Sequence, residues 1–302
     1  MDTASRGGIF LPCFHPAKAQ RDDKGGVRFV GQEAKLFSLR LACRQCIGCR
    51  LESSRQWAVR CMHEASLYDD NSFVTLTYDD VHCPPTLIYW HFQDFMKRLR
   101  KTRPDVRFYM AGEYGAKFGR PHFHALLFNC GFPDKYVIRQ GDRPLYRSPA
   151  LEKLWKVGFS SIGAVTFESA AYVARYCTAK ITGDLAEAHY ALPGKWTDRD
   201  TGEIFDARVP EFNHMSLRNA VGKDWLRLYW SDVREGRVVV NGKECNVPRY
   251  YARYFKNSSY GEALKLERRI DGYARRLDNT AGRLLVKEAI ASSRFATLER
   301  SL

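Results

Sequence analysis

Residues 106–128, VRFYMAGEYGAKFGRPHFHALLF, restrict the fold of this chain more than any other stretch. Two runs rich in apolar and aromatic residues, Val106 to Glu113 and Pro121 to Phe128, flank YGAKFGR with its glycines at 115 and 119. That is the pattern of a β-hairpin. Side chains on a strand alternate between faces, so His122 and His124 project to one side and Phe123 to the other. With the turn centred between Lys117 and Phe118, Glu113 falls opposite His122 and Ala111 opposite His124, which sets a carboxylate beside two imidazoles. Paired histidines on a strand are ordinary in themselves. Two histidines with one carboxylate make a site for a divalent cation that keeps positions open for water and substrate, and Ala111 would leave room for that substrate.

The flanking text builds on the hairpin. SFVTLTY (Ser72 to Tyr78) reads as a strand ending at Asp79 and Asp80. In LIYWHFQDFMKRLRKTRP the residues Leu87, Trp90, Phe95 and Leu99 recur at near-helical spacing until Pro104 ends the pattern. Residues 130–149 read as a long connection punctuated by Pro and Gly, and GFSSIGAVTF (Gly158 to Phe167) as a strand leading into the helix ESAAYVARYCTAKI. Strand, helix, strand, strand, connection, strand, helix, with a hairpin in the middle, predicts an α+β fold: a central antiparallel β-sheet with flanking helices. Residues 1–68 form a Cys-rich amino-terminal segment that turns helical near Leu51 to Leu67, residues 69–185 the core, and residues 186–302 a mainly helical carboxy-terminal extension for DNA or a partner. Within that extension GKWTDRDTGEIFDARVP reads as a hairpin, VGKDWLRLYW as a short helix and residues 261–302 as charged amphipathic helix.

Charge narrows the partner. Lys and Arg number 48 against 34 Asp and Glu, leaving 48 − 34 = +14, and such an excess favours nucleic acid, where each neutralised phosphate releases counterions. Hydrophobic residues at 45% exclude a mainly disordered chain. No run of about 18 apolar residues occurs, and the first residues lack the order of a secretory signal, so a soluble intracellular protein with no membrane partner is expected. Gly222-Lys223 is followed by Asp224 and preceded by Leu217 at the first glycine position, so no nucleotide phosphate loop is present there. Lys97, Arg98, Arg100, Lys101 and Arg103 crowd one helix end, and Arg120, Arg139, Arg143 and Arg147 are expected to flank the histidines. A solvated charged face is the alternative for each; together with aromatic neighbours they would suit a single-strand groove.

Tyr172, Tyr176 and Lys180 are spaced i, i+4 and i+8, on one stripe of the helix. The plain alternative is an amphipathic helix with aromatic core contacts; against it, Val173 and Ala174 already supply an apolar face and Lys180 does not suit a core. A phenol, with a pKa of about 10, needs an electrophile whose developing charge is stabilised. A metal-polarised phosphate meets that need. Attack would leave a phosphotyrosine bond to one DNA end and a hydroxyl on the other, so rejoining needs no ATP. A second tyrosine one turn away lets a second cut alternate with reversal of the first, and Lys180 could stabilise the transition state or a phenolate.

Nine cysteines include Cys43, Cys46 and Cys49 at two-residue intervals, with Cys13 and His15 upstream. Cys13, Cys43, Cys46 and Cys49 could supply four soft ligands for structural zinc. Ser53 and Ser54 stand where a ferredoxin-type cluster continues toward Cys-Pro, which disfavours iron–sulfur. The alternative is reduced thiols packed under the sheet, as is also expected of Cys61, Cys83, Cys130, Cys177 and Cys245.

FVTLTY, GRPHFHALLF and YVARYCTAK together resemble motifs one, two and three of the HUH superfamily of rolling-circle replication initiators. CRQCIGCRLESSRQWAVRCMHEA, GFSSIGAVTFESAAYVARYC and FNHMSLRNAVGKDW resemble in particular the initiators of gokushovirus-type microviruses, small single-stranded DNA bacteriophages, across most of residues 40–255. The resemblance implies an HUH endonuclease (Rep nuclease-like) fold. It implies His122 and His124 as ligands of Mg2+ or Mn2+, Tyr172 and Tyr176 as nucleophiles, and Lys180 as the motif-three lysine. An acidic third ligand on the preceding strand suits Glu113, with Glu168 in reserve. The activity implied is that of a site-specific DNA endonuclease and strand transferase. It would nick and rejoin single-stranded and replicative-form DNA at the origin through a 5′-phosphotyrosine, working with host helicase and polymerase in the bacterial cytoplasm. A non-catalytic zinc-containing DNA-binding regulator and a related HUH tyrosine transposase are the rival readings. The last 45 or so residues match nothing functional.

Overall fold

The computed structural model describes residues 13–24, 26–31, 33–115, 117–179, 185–233 and 236–299, with side chains described for all of these except 176–179, 268, 271, 298 and 299. The chain divides into two compact units, one comprising Trp57–Asp232 and the other the residues before and after it.

The sequence-flanking unit opens with β1 (Ala17–Arg21), β2 (Val27–Phe29) and β3 (Leu39–Leu41), an antiparallel meander in the order β2-β1-β3. No strand is legible here in the sequence, because these short segments alternate poorly and bury almost nothing but Ala19. Helix α1 (Ile47–Ala65) gives its first residues to this unit and Trp57–Ala65 to the other.

The larger unit contains β4 (Asn71–Tyr78), α2 (Tyr89–Thr102), β5 (Arg107–Tyr114), β6 (Pro121–Phe128), β7 (Tyr136–Arg139), β8 (Leu145–Arg147), α3 (Pro149–Trp155), β9 (Gly158–Gly163), α4 (Phe167–Ala179), α5 (Leu185–Tyr190), β10 (Ala191–Thr197), β11 (Ile204–Ala207), β12 (Phe212–Met215), α6 (Lys223–Leu228) and most of α7 (Trp230–Val233). Seven strands form one sheet in the order β12-β5-β6-β4-β9-β8-β7, with every neighbouring pair antiparallel. The expected α+β sheet and the 191–207 hairpin are therefore present. Three things differ. The connection 130–149 carries β7 and β8, which extend the sheet; the expected strand from Gly158 stops at Gly163; and Phe212–Met215 forms the far edge. The remaining elements, β13 (Arg237–Val240), β14 (Lys243–Asn246), α8 (Arg249–Tyr254), α9 (Ser259–Ala274) and α10 (Ala281–Glu299), belong to the first unit and form the mainly helical carboxy-terminal region. Among the described residues no helix is long and apolar enough to cross a membrane.

Burial explains why β5 and β6 occupy the middle. β4 alternates buried and half-buried residues, whereas β5 and β6 are buried almost throughout because helices cover both faces. One face sends Val74, Leu76, Phe123, Ala125 and Leu127 against Phe92, Phe95 and Leu99 of α2 and against Leu151 and Trp155 of α3. α3 is well marked: Pro149 opens it, the Ser148 hydroxyl accepts from the Leu151 N–H at 3.1 Å, and Lys156 closes it in the left-handed region. The Trp155 indole N–H donates to the Thr77 carbonyl at 2.9 Å. Gly158 lets β9 start hard against β4, since a Cβ there would collide with that same carbonyl.

The opposite face is lined by smaller groups. Ala111 and Leu126 meet Ala58, Cys61 and Ala65 of α1 and Ala170, Val173 and Ala174 of α4. Small residues at such a seam allow helix backbones to approach the sheet closely. Buried Glu64 of α1 is satisfied by the Gly222 N–H at 2.6 Å and the Arg107 guanidinium at 2.9 Å, and burial pushes its carboxyl above the ordinary range.

Trp155→Ala removes a fully buried ring and strands the Thr77 carbonyl, so it should cost about 3–5 kcal/mol of stability. Phe118→Ala, at an exposed ring, should stay within about 0.5 kcal/mol of the parent. Urea unfolding of the two variants measures the contrast.

Candidate functional site

The hairpin register is the one the spacing predicts: Glu113 pairs with His122 and Ala111 with His124. On the other side of β6, Thr75 pairs with His124 and Thr77 with His122. Phe123 enters the α2 core, so both imidazoles stand on the face covered by α1 and α4. There the Glu113 Oε1 lies 2.6 Å from His122 Nε2 and 2.7 Å from His124 Nε2. One ligand atom from each of the three side chains falls within 4.8 Å of the others.

The outer ring nitrogens are held as well. His122 Nδ1 lies 3.1 Å from the Arg120 carbonyl, which can only accept, so this nitrogen carries its proton and Nε2 faces the carboxylate. His124 Nδ1 lies 3.0 Å from the Thr75 hydroxyl. Anchoring of the outer nitrogen by a carbonyl or hydroxyl is how metal-binding histidines are oriented. Burial works against the Glu113 charge, but hydrogen bonds and charge from both histidines outweigh it and hold the carboxyl below its ordinary range. For His122 burial favours the neutral ring, and the Glu113 hydrogen bond and charge overcome it, raising its pKa; for fully enclosed His124 burial wins and the pKa falls. The second carboxylate oxygen, Glu113 Oε2, is buried without a hydrogen-bond partner among the described residues. A buried oxygen left in this state, beside two convergent imidazoles, fits a cation of the Mg2+ or Mn2+ kind.

Tyr172 joins this group. Its ring lies 5.1 Å from the His124 ring, edge-on at 79°, and 6.4 Å from Phe73. α4 reaches this position because Ala170, Val173 and Ala174 pack on β5 and β6, leaving the neighbouring position 172 to lean along the sheet. Asn213 of β12 fastens the arrangement by donating to the Met110 carbonyl at 2.9 Å and the Val173 carbonyl at 3.1 Å. Tyr176 follows one turn later in α4 with its side chain outside the description, and Lys180 lies outside the described residues. Glu168, the reserve ligand, is exposed in the first turn of α4 and is not part of the carboxylate–imidazole group.

The basic residues distribute differently from expectation. Lys97, Arg98, Arg100 and Lys101 sit on α2, which covers the sheet face opposite the histidines. Lys97 pairs with Asp94 at 2.8 Å, Arg98 donates to the Leu154 carbonyl at 2.7 Å, Arg100 lies over the Phe108 ring, and Arg103 over Phe132. Arg139 and Arg147 belong to β7 and β8, separated from β6 by β4 and β9, and Arg143 lies in the turn between them. Arg120 alone of these stands next to the histidine pair, donating to the Tyr78 carbonyl at 3.0 Å and pairing with Asp80.

Cys13, Cys43, Cys46 and Cys49 converge in the other unit, their sulfurs all within 4.8 Å. His15 turns away to Glu288 at 2.7 Å. Cys61 is buried under the α1–α4 face, while Cys83 and Cys130 pack with the α2 core. Cys245 corrects the expectation of a thiol beneath the sheet, since it lies on β14 of the small hairpin. The Cys177 side chain is outside the description. Two participants escape a reading of the sequence. Thr75 is visible in principle, because the two-residue period of FVTLTY sets it on the histidine face; Asn213 carries no local signal, since only pairing with β5 brings it there.

The sequence pattern of the family described as replication-associated protein ORF2/gene 2 protein matches residues 71–181, the stretch from β4 to the end of α4. The chain is 32% identical to replication-associated protein VP4 of Bdellovibrio phage phiMH2K, over 97% of this chain and 99% of that protein. It is 37% identical to replication-associated protein ORF2 of Spiroplasma virus 4, over 84% and 78%, and 29% identical to replication-associated protein ORF4 of Chlamydia phage 1, over 72% and 54%. No solved structure matches.

Calorimetric titration with Mn2+ should detect binding that Glu113→Ala abolishes. Thr75→Val, which removes only the hydroxyl beside His124 Nδ1, should weaken it by about 10- to 100-fold.

Proposed function

This chain belongs to the replication-associated proteins of microviruses, and from that premise we propose that it initiates phage DNA replication as a tyrosine endonuclease and strand transferase acting at the origin. The observation that carries the reading is the edge contact between the Tyr172 ring and His124 within the His122–His124–Glu113 group: a nucleophile of the right chemistry stands beside a set of cation ligands. Nicking is assigned to residues 69–185, and DNA or partner binding to the regions on either side.

His122, His124 and Glu113 would hold a divalent cation, Mg2+ or Mn2+. When bound, such an ion supplies positive charge at the scissile phosphate. Tyr172 Oη attacks phosphorus as its phenolic proton departs, forming the P–O bond of a 5′-phosphotyrosine. The bond from phosphorus to the 3′ oxygen breaks, and that oxygen takes up a proton as a free 3′-hydroxyl. Attack by a 3′-hydroxyl on the phosphotyrosine runs the same exchange backwards and rejoins the strand. The Ala111 methyl keeps the surface next to His124 low, which suits access for a phosphate. Tyr176 is assigned the second cut and Lys180 the stabilisation of developing negative charge.

The substrates are single-stranded and replicative-form phage DNA. The free 3′-hydroxyl is a primer terminus, so a host polymerase is the natural consumer, with a host helicase for unwinding, in the bacterial cytoplasm. Arg120 is the cation best placed to meet the strand at the site; Lys97, Arg98, Arg100 and Lys101 would meet DNA on the opposite face of the sheet. A structural zinc is assigned to the four cysteines.

Incubated with a labelled single-stranded origin fragment and Mn2+, the protein should form a covalent adduct that survives denaturant and disappears on proteolysis. Tyr172→Phe combined with Tyr176→Phe should abolish the adduct while leaving DNA affinity, measured by fluorescence anisotropy, within about twofold. Salt-sensitive binding by the parent without any adduct would point to the non-catalytic regulator, and an adduct restricted to hairpin ends to the transposase.

A further inference from the structure

The four cysteines of the sequence-flanking unit are arranged for a metal rather than for packing. Cys43 and Cys46 bracket a tight turn in which Arg44 adopts the left-handed region at φ 64°, and Cys46 and Cys49 lie on either side of the first residues of α1. Cys13 approaches from the segment before β1. Cys43 Sγ is 4.0 Å from Cys49 Sγ, and Cys46 Sγ is 4.0 Å from Cys13 Sγ. A disulfide would need about 2.05 Å, whereas sulfurs placed about 2.3 Å from a central zinc at tetrahedral angles stand about 3.8 Å apart. The observed spacing is that of a slightly open tetrahedron.

Backbone amides aim at these sulfurs. The Cys43 N–H donates to Cys13 Sγ at 3.1 Å, the Cys46 N–H to Cys43 Sγ at 3.3 Å and the Phe14 N–H to Cys46 Sγ at 3.3 Å. Donors of this kind favour sulfur in its anionic form. All four donor atoms are soft, which selects zinc over the cations that suit carboxylate and imidazole. The surroundings also lack the apolar mass to hold the chain unaided. The local cluster consists of Phe14, Cys46, Leu284 and Ala291, and Ala19 is the one buried residue of β1, β2 and β3. Small regions with little core are commonly fixed by a metal.

We propose that Cys13, Cys43, Cys46 and Cys49 bind one Zn2+ as a structural tetrathiolate site that fastens the amino-terminal meander to the start of α1, with no part in phosphoryl transfer. Each thiol gives up its proton on binding, so one zinc replaces four protons. The inference deepens the assignment of zinc to these residues and is independent of the nicking reaction.

The test uses the full chain purified under reducing conditions without chelator. His122→Ala with His124→Ala removes the other cation ligands, and elemental analysis of that variant should still find one zinc per chain. Exchange for Co2+ should produce a sulfur-to-cobalt charge-transfer band and the intense visible bands of tetrahedral cobalt. Cys43→Ser and Cys46→Ser should each lose the zinc, while Cys61→Ser keeps it. Should a cysteine variant fail to fold, titration of the parent with an organomercurial decides alone, with one zinc released per four thiols modified. A folded parent from zinc-supplemented medium that carries no zinc and gives no cobalt–thiolate band would overturn the proposal. So would iron with acid-labile sulfide, or zinc that is lost with His122 and His124 instead of with the cysteines. The readout is metal content, so a failed adduct assay leaves it intact, and a failed zinc assay leaves the adduct result intact.

Discussion

The register of the β5–β6 hairpin is the constraint on which the candidate site depends. Glu113 meets His122 across the ladder and Ala111 meets His124, and the shared carboxylate oxygen lies within 2.7 Å of both Nε2 atoms. A slip by one residue would turn both imidazoles into the α2 core and expose Phe123 in their place. Burying Phe123 against Phe92 and Trp155 therefore does more than stabilise the sheet: it forbids the alternative register and so holds the three polar side chains together.

The two faces of the sheet divide the labour between packing and chemistry. Large aromatic rings fill the α2–α3 side, where stability is concentrated. Alanines at 58, 111, 170 and 174 thin the other side, so α4 lies close and carries Tyr172 to the edge of His124. Asn213, through its two carbonyl partners, makes that approach a property of β12 as well as of α4. Two candidate cation sites of contrasting chemistry occupy separate units: imidazole and carboxylate in one, four sulfurs in the other. Their ligand types suit different ions, which lets one chain use a hard cation for reaction and a soft one for structure without competition.

Much of this was legible in the residues. Strand alternation, the glycine-bounded turn and the helical spacing ended by Pro104 are local, and the main sheet strands, α2 and α4 lie where these signals put them to within a few residues. The short strands β7, β8 and β12 were not legible. Tyr136–Arg139 is exposed throughout and Phe212–Met215 is only half-buried, so neither carries a hydrophobic pattern strong enough to stand out from a loop. The basic run at residues 97–101 shows a different limit: helical period identifies which face of α2 is polar, but says nothing about which face of the sheet α2 will cover.

By itself, then, the sequence determined the hairpin, the pairing of Glu113 with His122, the common stripe of Tyr172 and Tyr176, and the clustering of three of the four cysteines, because each follows from backbone periods acting over a few residues. Tertiary structure alone decided that Cys13 completes the sulfur tetrahedron, that Thr75 and the Arg120 carbonyl orient the imidazoles, that Asn213 pins α4, and that the lysines and arginines of α2 lie across the sheet from the histidines. Those outcomes depend on which surfaces bury best against one another over separations of tens to hundreds of residues, and no local repeat encodes that choice.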